Sequence, residues 1–189
     1  MPGTGLEALK VLIVEDNQHM RLLLRSLLGS AGMHDVQEAG DGSAALTELA
    51  TRRCDLILCD LAMKPMDGLE LTRQVRRSKK SANPFVPIIM ISGYTEKHRV
   101  EAARDAGVTE FLAKPITAQS LYSRIAEIME RPRAFVKTET YAGPDRRRRQ
   151  SGNYAGPGRR ADDPPGTKGY LEPPRQPMVI EGVKPVEKV

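Results

Sequence analysis

Residues 54–68 read CDLILCDLAMKPMDG, a short apolar run that stops at an acid and then turns. The run 56–59 is too short for a helix and too apolar for an exposed strand, so it predicts a strand buried on both faces of a parallel sheet. Asp60 closes this strand, and the turn residues of 64–68 mark a loop. A carboxylate at the carboxyl end of such a strand lies where open α/β sheets place their chemistry. Taken alone, however, an acid here can equally begin a loop or cap a helix.

The same pattern of a buried strand followed by a helix occurs five times along the chain. Asn17 and Thr117 stand where helix N-caps are expected, and apolar residues recur at helical spacing after each strand. Such alternation predicts a parallel sheet with helices on both faces and right-handed crossovers. We therefore predict one doubly wound α/β domain over residues 6–131, of the flavodoxin-like type if its strand order is 2-1-3-4-5. The predicted strands are 9–14, 36–39, 56–59, 86–91 and 109–113.

Charge and proline divide the chain into two parts. Up to Arg131 there are 17 Lys and Arg against 17 Asp and Glu, whereas residues 132–189 carry 12 against 7, so the net charge of +5 belongs to this second part. It also holds nine of the 14 prolines. Such a composition is typical of a basic, disordered tail. We expect no output domain in it, and DNA binding is not expected.

Compartment is indicated by what the sequence lacks. Residues 1–10 have no apolar core of a signal peptide, and no stretch approaches the ~18 apolar residues of a membrane span. The two cysteines, Cys54 and Cys59, lack the spacing of a metal or redox motif. We interpret them as reduced, buried thiols of a cytoplasmic protein.

Polar groups stand at the ends of four predicted strands: Glu15-Asp16, Asp60, Ser92 and Lys114. In the predicted order the first and third strands are neighbours, so three carboxylates crowd one crevice. Their repulsion raises their pKa values, and Mg²⁺, which prefers hard oxygen ligands, relieves it. A lysine and a hydroxyl at the same edge suit a phosphoryl group, which a carboxylate can attack in line. The alternative is that all four are ordinary polar residues that begin loops.

Taken together, these positions closely resemble the receiver domain of two-component response regulators. The resemblance covers residues 9–131 and implies a CheY-like fold with strand order 2-1-3-4-5. It rests on VED at 14–16, on Asp60 followed by MDG at 66–68, on ISG at 91–93 and on KP at 114–115. It implies that Asp60 is the phosphoacceptor, charged by a histidine kinase or a phosphotransfer protein. It also implies that Mg²⁺ is held by Glu15, Asp16, Asp60 and the backbone carbonyl of Ala62.

The resemblance implies a switch as well. Ser92 is then the switch hydroxyl, Phe111 the switch aromatic and Lys114 the lysine that pairs with the phosphate. The Lys114-Pro115 bond is expected to be cis, which aims the lysine inward. Three positions depart from the commonest pattern of the family.

The loop proline, Pro65, comes one place later than usual, and Gly93 stands where alanine is common. Tyr94 is a large residue beside the site, two places after the switch serine. We expect its ring to shield the phosphate, although it can instead point to solvent or into an interface. None of the three removes a needed group.

The function implied is that of a stand-alone response regulator and signalling adaptor. It is not an enzyme beyond its own phosphorylation and dephosphorylation. Its output is expected to pass to an unidentified downstream protein through the face of the fourth helix, fifth strand and fifth helix. One alternative is a phosphatase with an aspartyl nucleophile, but such enzymes place a second Asp two residues after the first, where this chain has Ala62. A second alternative is a nucleic-acid binder that works through the tail.

Two near-repeats stand out in the tail: YAGPDRRRR from Tyr141 and YAGPGRR from Tyr154. Too few copies exist for a solenoid. The simplest interpretation is a solubilising, disordered tail. Alternatively, each copy is a short linear motif for an acidic protein, RNA or an anionic membrane surface.

Overall fold

The five predicted strands form one parallel sheet in the order β2-β1-β3-β4-β5, as predicted. The structure is a computed structural model. It describes residues 6–79, 81–138 and 140–145 and the backbone of residues 170–171. A short 3-10 helix over Leu6–Ala8 precedes the sheet. The strands are β1 (Val11–Val14), β2 (Val36–Ala39), β3 (Leu56–Asp60), β4 (Ile88–Ser92) and β5 (Glu110–Ala113). Each is followed by a helix: α1 (Gln18–Ser30), α2 (Gly42–Thr51), α3 (Gly68–Arg77), α4 (Lys97–Ala106) and α5 (Ala118–Glu130).

The hydrophobic core lies in two layers, one on each face of the sheet. Every residue of β1, β3 and β4 is buried, which explains why these strands read as continuous apolar runs. Alternate residues of each strand face opposite layers, so Ile57 packs with α2, α3 and α4, whereas Leu58 packs with α1 and α5. The prediction of a doubly wound domain is therefore confirmed.

Local signals set the helix boundaries that the site depends on. The Asn17 side chain accepts hydrogen bonds from the backbone N–H groups of His19 and Met20 at 2.9 and 3.2 Å and so begins α1. Thr117 and Ser120 form a capping box at the start of α5. Gly107 ends α4 at φ +101°, a left-handed conformation that side chains with a Cβ rarely adopt.

Beyond α5 the structure differs from the expectation of a single tail from residue 132. Residues Phe135–Lys137 form β6 and residues Ala142–Pro144 form β7, which pair as an antiparallel hairpin. Residues Tyr170–Leu171 form β8 on the other edge of β6. Strands of two or three residues show no period in a sequence, and the hairpin is stabilised by contacts with the domain. Residues 146–169 and 172–189, with the second near-repeat, lie outside the described residues.

No helix in the described part of the chain is long and apolar enough to cross a membrane. Both cysteines are free, with Cys59 buried and Cys54 half-buried.

Candidate functional site

Four strand ends meet at the carboxyl edge of the sheet, as the sequence predicts. Val14 pairs with Cys59, so the next residues along the two strands, Glu15 and Asp60, lie side by side. Asp60 in turn pairs with Ile91 of β4. Because β5 continues the sheet beyond β4, Lys114 follows the last strand at the same edge. The structure thus brings together Glu15, Asp60, Ser92 and Lys114.

Asp60 is the centre of this group and is only 6% exposed. The Lys114 Nζ atom lies 2.6 Å from its Oδ1. Its other oxygen, Oδ2, accepts a hydrogen bond of 2.7 Å from the backbone N–H of Ala62. Both oxygens of the carboxylate therefore have a donor, which fixes its orientation at the end of β3.

The Glu15 carboxylate is still more buried, at 2% exposure. Its Oε2 lies 3.0 Å from the Lys114 Nζ atom, and its Oε1 accepts a hydrogen bond of 3.3 Å from the Asn17 backbone N–H. Burial first, and then the negative charge of Asp60, raise the pKa of Glu15 in spite of these donors. One ammonium group is thus shared by two buried carboxylates.

Lys114 is the cation that holds the group together. Burial alone lowers the pKa of its ammonium, but the hydrogen bonds to Asp60 and Glu15 outweigh burial, so its pKa is raised. The predicted cis bond between Lys114 and Pro115 is present, and the loop after β3 has a second cis bond at Lys64-Pro65. The Lys114 backbone N–H donates to the Ser92 carbonyl at 2.8 Å, which ties the ends of β4 and β5 together.

Ser92 is buried at 1% exposure, and its hydroxyl accepts a hydrogen bond of 3.0 Å from the Tyr94 backbone N–H. The hydroxyl is therefore engaged within its own loop. Phe111, on the neighbouring strand β5, is half-buried and packs against the core layer under α2, α3 and α4. The two residues proposed as a switch thus stand on adjacent strands.

Tyr94 lies at the rim of the site and is 49% exposed. The guanidinium carbon of Arg99, on α4, lies 4.4 Å from the centre of its ring, a cation–π contact. Arg99 also lines a groove of about 460 Å³ between α4 and the loop after β3, together with Ala62 and Lys64. Sequence reasoning missed Arg99, because the four positions between it and Tyr94 cross from a loop into a helix, and such a spacing gives no signal of contact.

Asp16 is the one predicted ligand that the structure leaves apart. Its side chain is exposed, and its backbone carbonyl accepts a hydrogen bond of 3.2 Å from Arg21 Nη1. Arg21 also donates to the Glu15 carbonyl at 2.6 Å and pairs with Glu38 of β2, a set of contacts that the sequence did not predict. These bonds fix the backbone at the start of the site.

The donor atoms at the site bear on whether it can hold a divalent cation. Across the described residues, no three His, Cys, Asp or Glu side chains are gathered as a metal-binding group. The chemistry nevertheless fits, because Glu15 and Asp60 offer hard oxygen donors and share only one positive charge. The raised pKa of Glu15 indicates that further positive charge is favourable there.

The loop after β3 is held close to the site. An added Cβ at Gly68 would lie 2.3 Å from the Asp60 carbonyl oxygen, so this position requires glycine. The Asp67 side chain accepts a hydrogen bond of 2.7 Å from the Glu70 backbone N–H and begins α3. The Gly68 N–H donates to the Leu61 carbonyl at 3.1 Å, which closes the loop that carries Ala62.

Comparison with known proteins agrees with this geometry. The model of the response regulator receiver domain matches residues 11–126. The chemotaxis protein CheY of Pseudomonas aeruginosa is 34% identical over 123 residues, which cover 65% of this chain and 98% of that protein. CheY-3 of Vibrio cholerae is 32% identical over 123 residues, which cover 65% of this chain and 93% of that protein.

Solved structures show the same fold. Vibrio cholerae CheY4 matches with a TM-score of 0.59 and 30% identity, over 64% of this chain and 98% of that chain. A putative response regulator from Chloroflexus aurantiacus matches with a TM-score of 0.60 and 30% identity, over 65% of this chain and 98% of that one. Both matches cover nearly the whole of the solved chains and leave about a third of this chain unmatched.

Proposed function

Because the chain belongs to the response regulator receiver domain family, we propose that Asp60 is its phosphoacceptor. Receiver domains serve two-component signalling, and a phosphoacceptor role is general to them. They are generally signalling proteins and not true enzymes. The observation that supports Asp60 is its place at the end of β3, where Lys114 and the Ala62 N–H hold both carboxylate oxygens.

The proposed reaction is transfer of a phosphoryl group to Asp60. A carboxylate oxygen of Asp60 forms a bond to phosphorus while the bond from phosphorus to the donor's imidazole nitrogen breaks, and the imidazole leaves with its electron pair. CheY-like receivers interact with histidine kinases or phosphotransfer proteins, so we propose that one of these supplies the phosphohistidine. Lys114 loses its contact with the attacking oxygen and pairs with the incoming phosphoryl oxygens instead.

Receiver domains generally use Mg²⁺. We propose that Glu15, Asp16, Asp60 and the Ala62 carbonyl hold it in this chain. When bound, the cation neutralises negative charge on the carboxylates and on the phosphoryl group. Asp16 then has to turn toward the crevice from its exposed position. Glu15 is already buried beside Asp60, and its backbone is fixed by Arg21.

We propose that Ser92 and Phe111 report phosphorylation. The new phosphoryl oxygens are strong acceptors, so the Ser92 hydroxyl exchanges its bond with Tyr94 for one to the phosphate. This movement leaves space beside β5 that the half-buried Phe111 ring can enter. The face of α4, β5 and α5 changes as a result and meets a downstream protein. The free thiols are compatible with the cytoplasm as the place of these events.

The test is phosphorylation of the full chain by phosphoramidate with Mg²⁺, followed by intact mass spectrometry. We expect one added phosphoryl group in the wild type and none in Asp60→Asn or Asp16→Ala. Asp105→Asn, a change to an exposed acid of α4, is the matched control and should be labelled like the wild type. Label retained by Asp60→Asn would refute the assignment. Label retained by Asp16→Ala would refute only the metal site.

A further inference from the structure

Strand β7 of the hairpin lies in a slot at the amino-terminal edge of the sheet, the edge opposite Asp60. We call it the repeat slot; it is formed by β6, Arg76, Phe85 and Gly107. The Arg76 guanidinium carbon lies 5.0 Å from the centre of the Phe135 ring, and the Phe85 and Phe135 rings meet edge to face at 5.2 Å. Arg76 also donates through Nε to the Gly107 carbonyl at 3.0 Å. The slot is therefore built largely by the folded domain.

The slot is selective for the tetrapeptide that occupies it, residues 141–144. A Cβ added to Gly143 would lie 2.6 Å from the Gly107 Cα, so only glycine fits. Ala142 is 8% exposed, and Pro144 faces Phe135 across the two strands. The Tyr141 hydroxyl donates to the Pro144 carbonyl at 2.6 Å, which closes the tetrapeptide on itself.

A hydroxyl three residues earlier completes the turn. The Thr138 Oγ1 atom accepts a hydrogen bond of 3.0 Å from the Tyr141 N–H, and the Thr138 N–H donates to the Tyr141 carbonyl at 2.7 Å. The structural unit is thus a hydroxyl residue, two variable residues and then Tyr-Ala-Gly-Pro.

The second near-repeat carries this whole unit. Ser151 stands three residues before Tyr154, and residues 154–157 again read YAGP. In both copies an Arg-Arg pair begins two residues after the proline. However, RRQ precedes Ser151 at 148–150 where FVK precedes Thr138 at 135–137. The chain therefore repeats β7 and its turn without repeating β6.

We propose that residues 154–157 exchange with residues 141–144 for the repeat slot of the same chain. Both copies read Tyr-Ala-Gly-Pro at the positions that contact the slot, so the free energy of these contacts is nearly the same for the two copies. The connection from β6 is thirteen residues longer for the second copy. Since loop closure costs more for a longer loop, the first copy is favoured, by roughly tenfold for a loop about four times as long.

Hydrogen exchange of the full chain, read by mass spectrometry on peptides that cover residues 133–138, tests the exchange. Gly156→Val should match the wild type. Gly143→Val blocks the first copy, and we expect protection to fall only about tenfold because the second copy takes its place. The double variant should lose the protection altogether. If Gly143→Val alone exchanges as fast as the double variant, the second copy does not use the slot.

Two controls make the outcome specific. Peptides that cover β3 should be equally protected in all variants, which shows that the domain is folded. Tyr141→Ala, Tyr154→Ala and the double variant form a second set of single and double variants, which remove a ring instead of adding a clash. The test therefore does not depend on the valine variants alone. Protection in Gly143→Val should be the same at tenfold lower protein concentration. A loss on dilution would mean that the second copy binds another chain, and would overturn exchange within one chain.

Discussion

Glu15 and Asp60 are two buried carboxylates that share one ammonium group, and this single positive charge does not fully compensate the burial of Glu15. Lys114 lies within 3.0 Å of both carboxylates, yet the pKa of Glu15 remains above its ordinary value of 4.5, because burial and the charge of Asp60 outweigh the lysine. The folded protein therefore binds the Glu15 proton more tightly than the unfolded chain does. The associated stabilisation is complete below pH 4.5 and is lost as the pH rises through the folded-state pKa.

Because the pKa of Glu15 is raised in the folded protein, Glu15→Gln should stabilise the protein at pH 7 in the absence of metal. The amide keeps the shape of the side chain and removes the buried charge. We expect a higher melting temperature than the wild type at pH 7, and we expect the difference to vanish as the pH falls to about 4. Thermal unfolding across this range measures it, with the exposed Glu7→Gln as the matched control.

The same variant should take up no phosphoryl group with Mg²⁺, because it lacks a proposed ligand. The buried Glu15 carboxylate thus lowers the stability of the fold at a position that function requires. If Glu15→Gln melts below the wild type at pH 7, the ion pair with Lys114 outweighs the burial of the carboxylate.

Tyr94 bears on how long the phosphate persists. Hydrolysis needs a water in line with the bond from phosphorus to the leaving carboxylate oxygen. Ala62 has no polar side chain to hold such a water, and the Tyr94 ring at the rim is held by Arg99. We therefore expect the Tyr94 ring to shield the phosphate from water.

Replacement of Tyr94 by Ala should speed the loss of phosphate roughly tenfold, which corresponds to ~1.4 kcal/mol in barrier height. Tyr94→Phe keeps the ring and its contact with Arg99, so it should decay like the wild type. The measurement is intact mass against time after the phosphodonor is removed. No acceleration in the Ala variant would show that the ring is not a shield, and slower decay in the Phe variant alone would show that the hydroxyl positions the water.

Among the elements, the strands that are covered by helices on both faces were predictable from the sequence. The strand β3 reads as an unbroken apolar run because helices cover both its faces. Helix α1 begins at Asn17 because an Asn side chain can satisfy the first backbone N–H groups. The strand order was predicted from the resemblance to receiver domains, and this order places Glu15 and Asp60 after neighbouring strands.

The β6–β7 hairpin was not predictable in this way. Three residues give no period, and the buried surface of Phe135 comes from contacts with Phe85 and Arg76, which are distant in sequence. Arg76 itself reads as one of several basic residues that end α3. It is instead 3% exposed and donates to three carbonyls, those of Gly107, Pro84 and Val86.

At the site, the sequence predicted which side chains converge but not which atoms they contact. The identities of Glu15, Asp60 and Lys114 followed from their places at strand ends. The sharing of one ammonium between two carboxylates depends on side-chain geometry at the ångström scale. The Asp16 side chain is exposed and Arg21 bonds to its backbone carbonyl, and neither feature has a signal in the sequence.

Considered as a whole, the molecule carries its two features on opposite edges of one sheet. Asp60 and Lys114 lie at the carboxyl edge, whereas the hairpin covers the amino-terminal edge beneath β4 and β5. Arg133 donates to the Thr109 carbonyl at 3.3 Å and lies 3.9 Å from Glu110, at the start of β5. The hairpin is thus attached to the strand whose far end bears Lys114.

The hairpin covers groups that a chain ending at α5 would leave open to water. Burial lowers the pKa of Arg76 to about 9, and the Phe135 ring covers its guanidinium group. Without residues 132–145, the Phe85 ring loses its edge-to-face partner. Loss of one buried aromatic side chain removes about 2 kcal/mol of hydrophobic stabilisation.

We therefore expect a chain cut after Arg131 to melt roughly 5–10 °C below the full chain. A chain cut after Asp145 keeps β6, β7 and residues 141–144 and loses the two-residue strand β8, so it should melt close to the full chain. Thermal unfolding of the three lengths at equal concentration measures this. Phe135→Ala in the full chain is the matched variant, because it removes the ring and keeps the length, and it should reproduce most of the loss. If the chain cut after Arg131 melts within 1 °C of the full chain, the hairpin packs on the domain without stabilising it, and the receiver fold ends at α5 in energetic terms as well as in its sequence pattern.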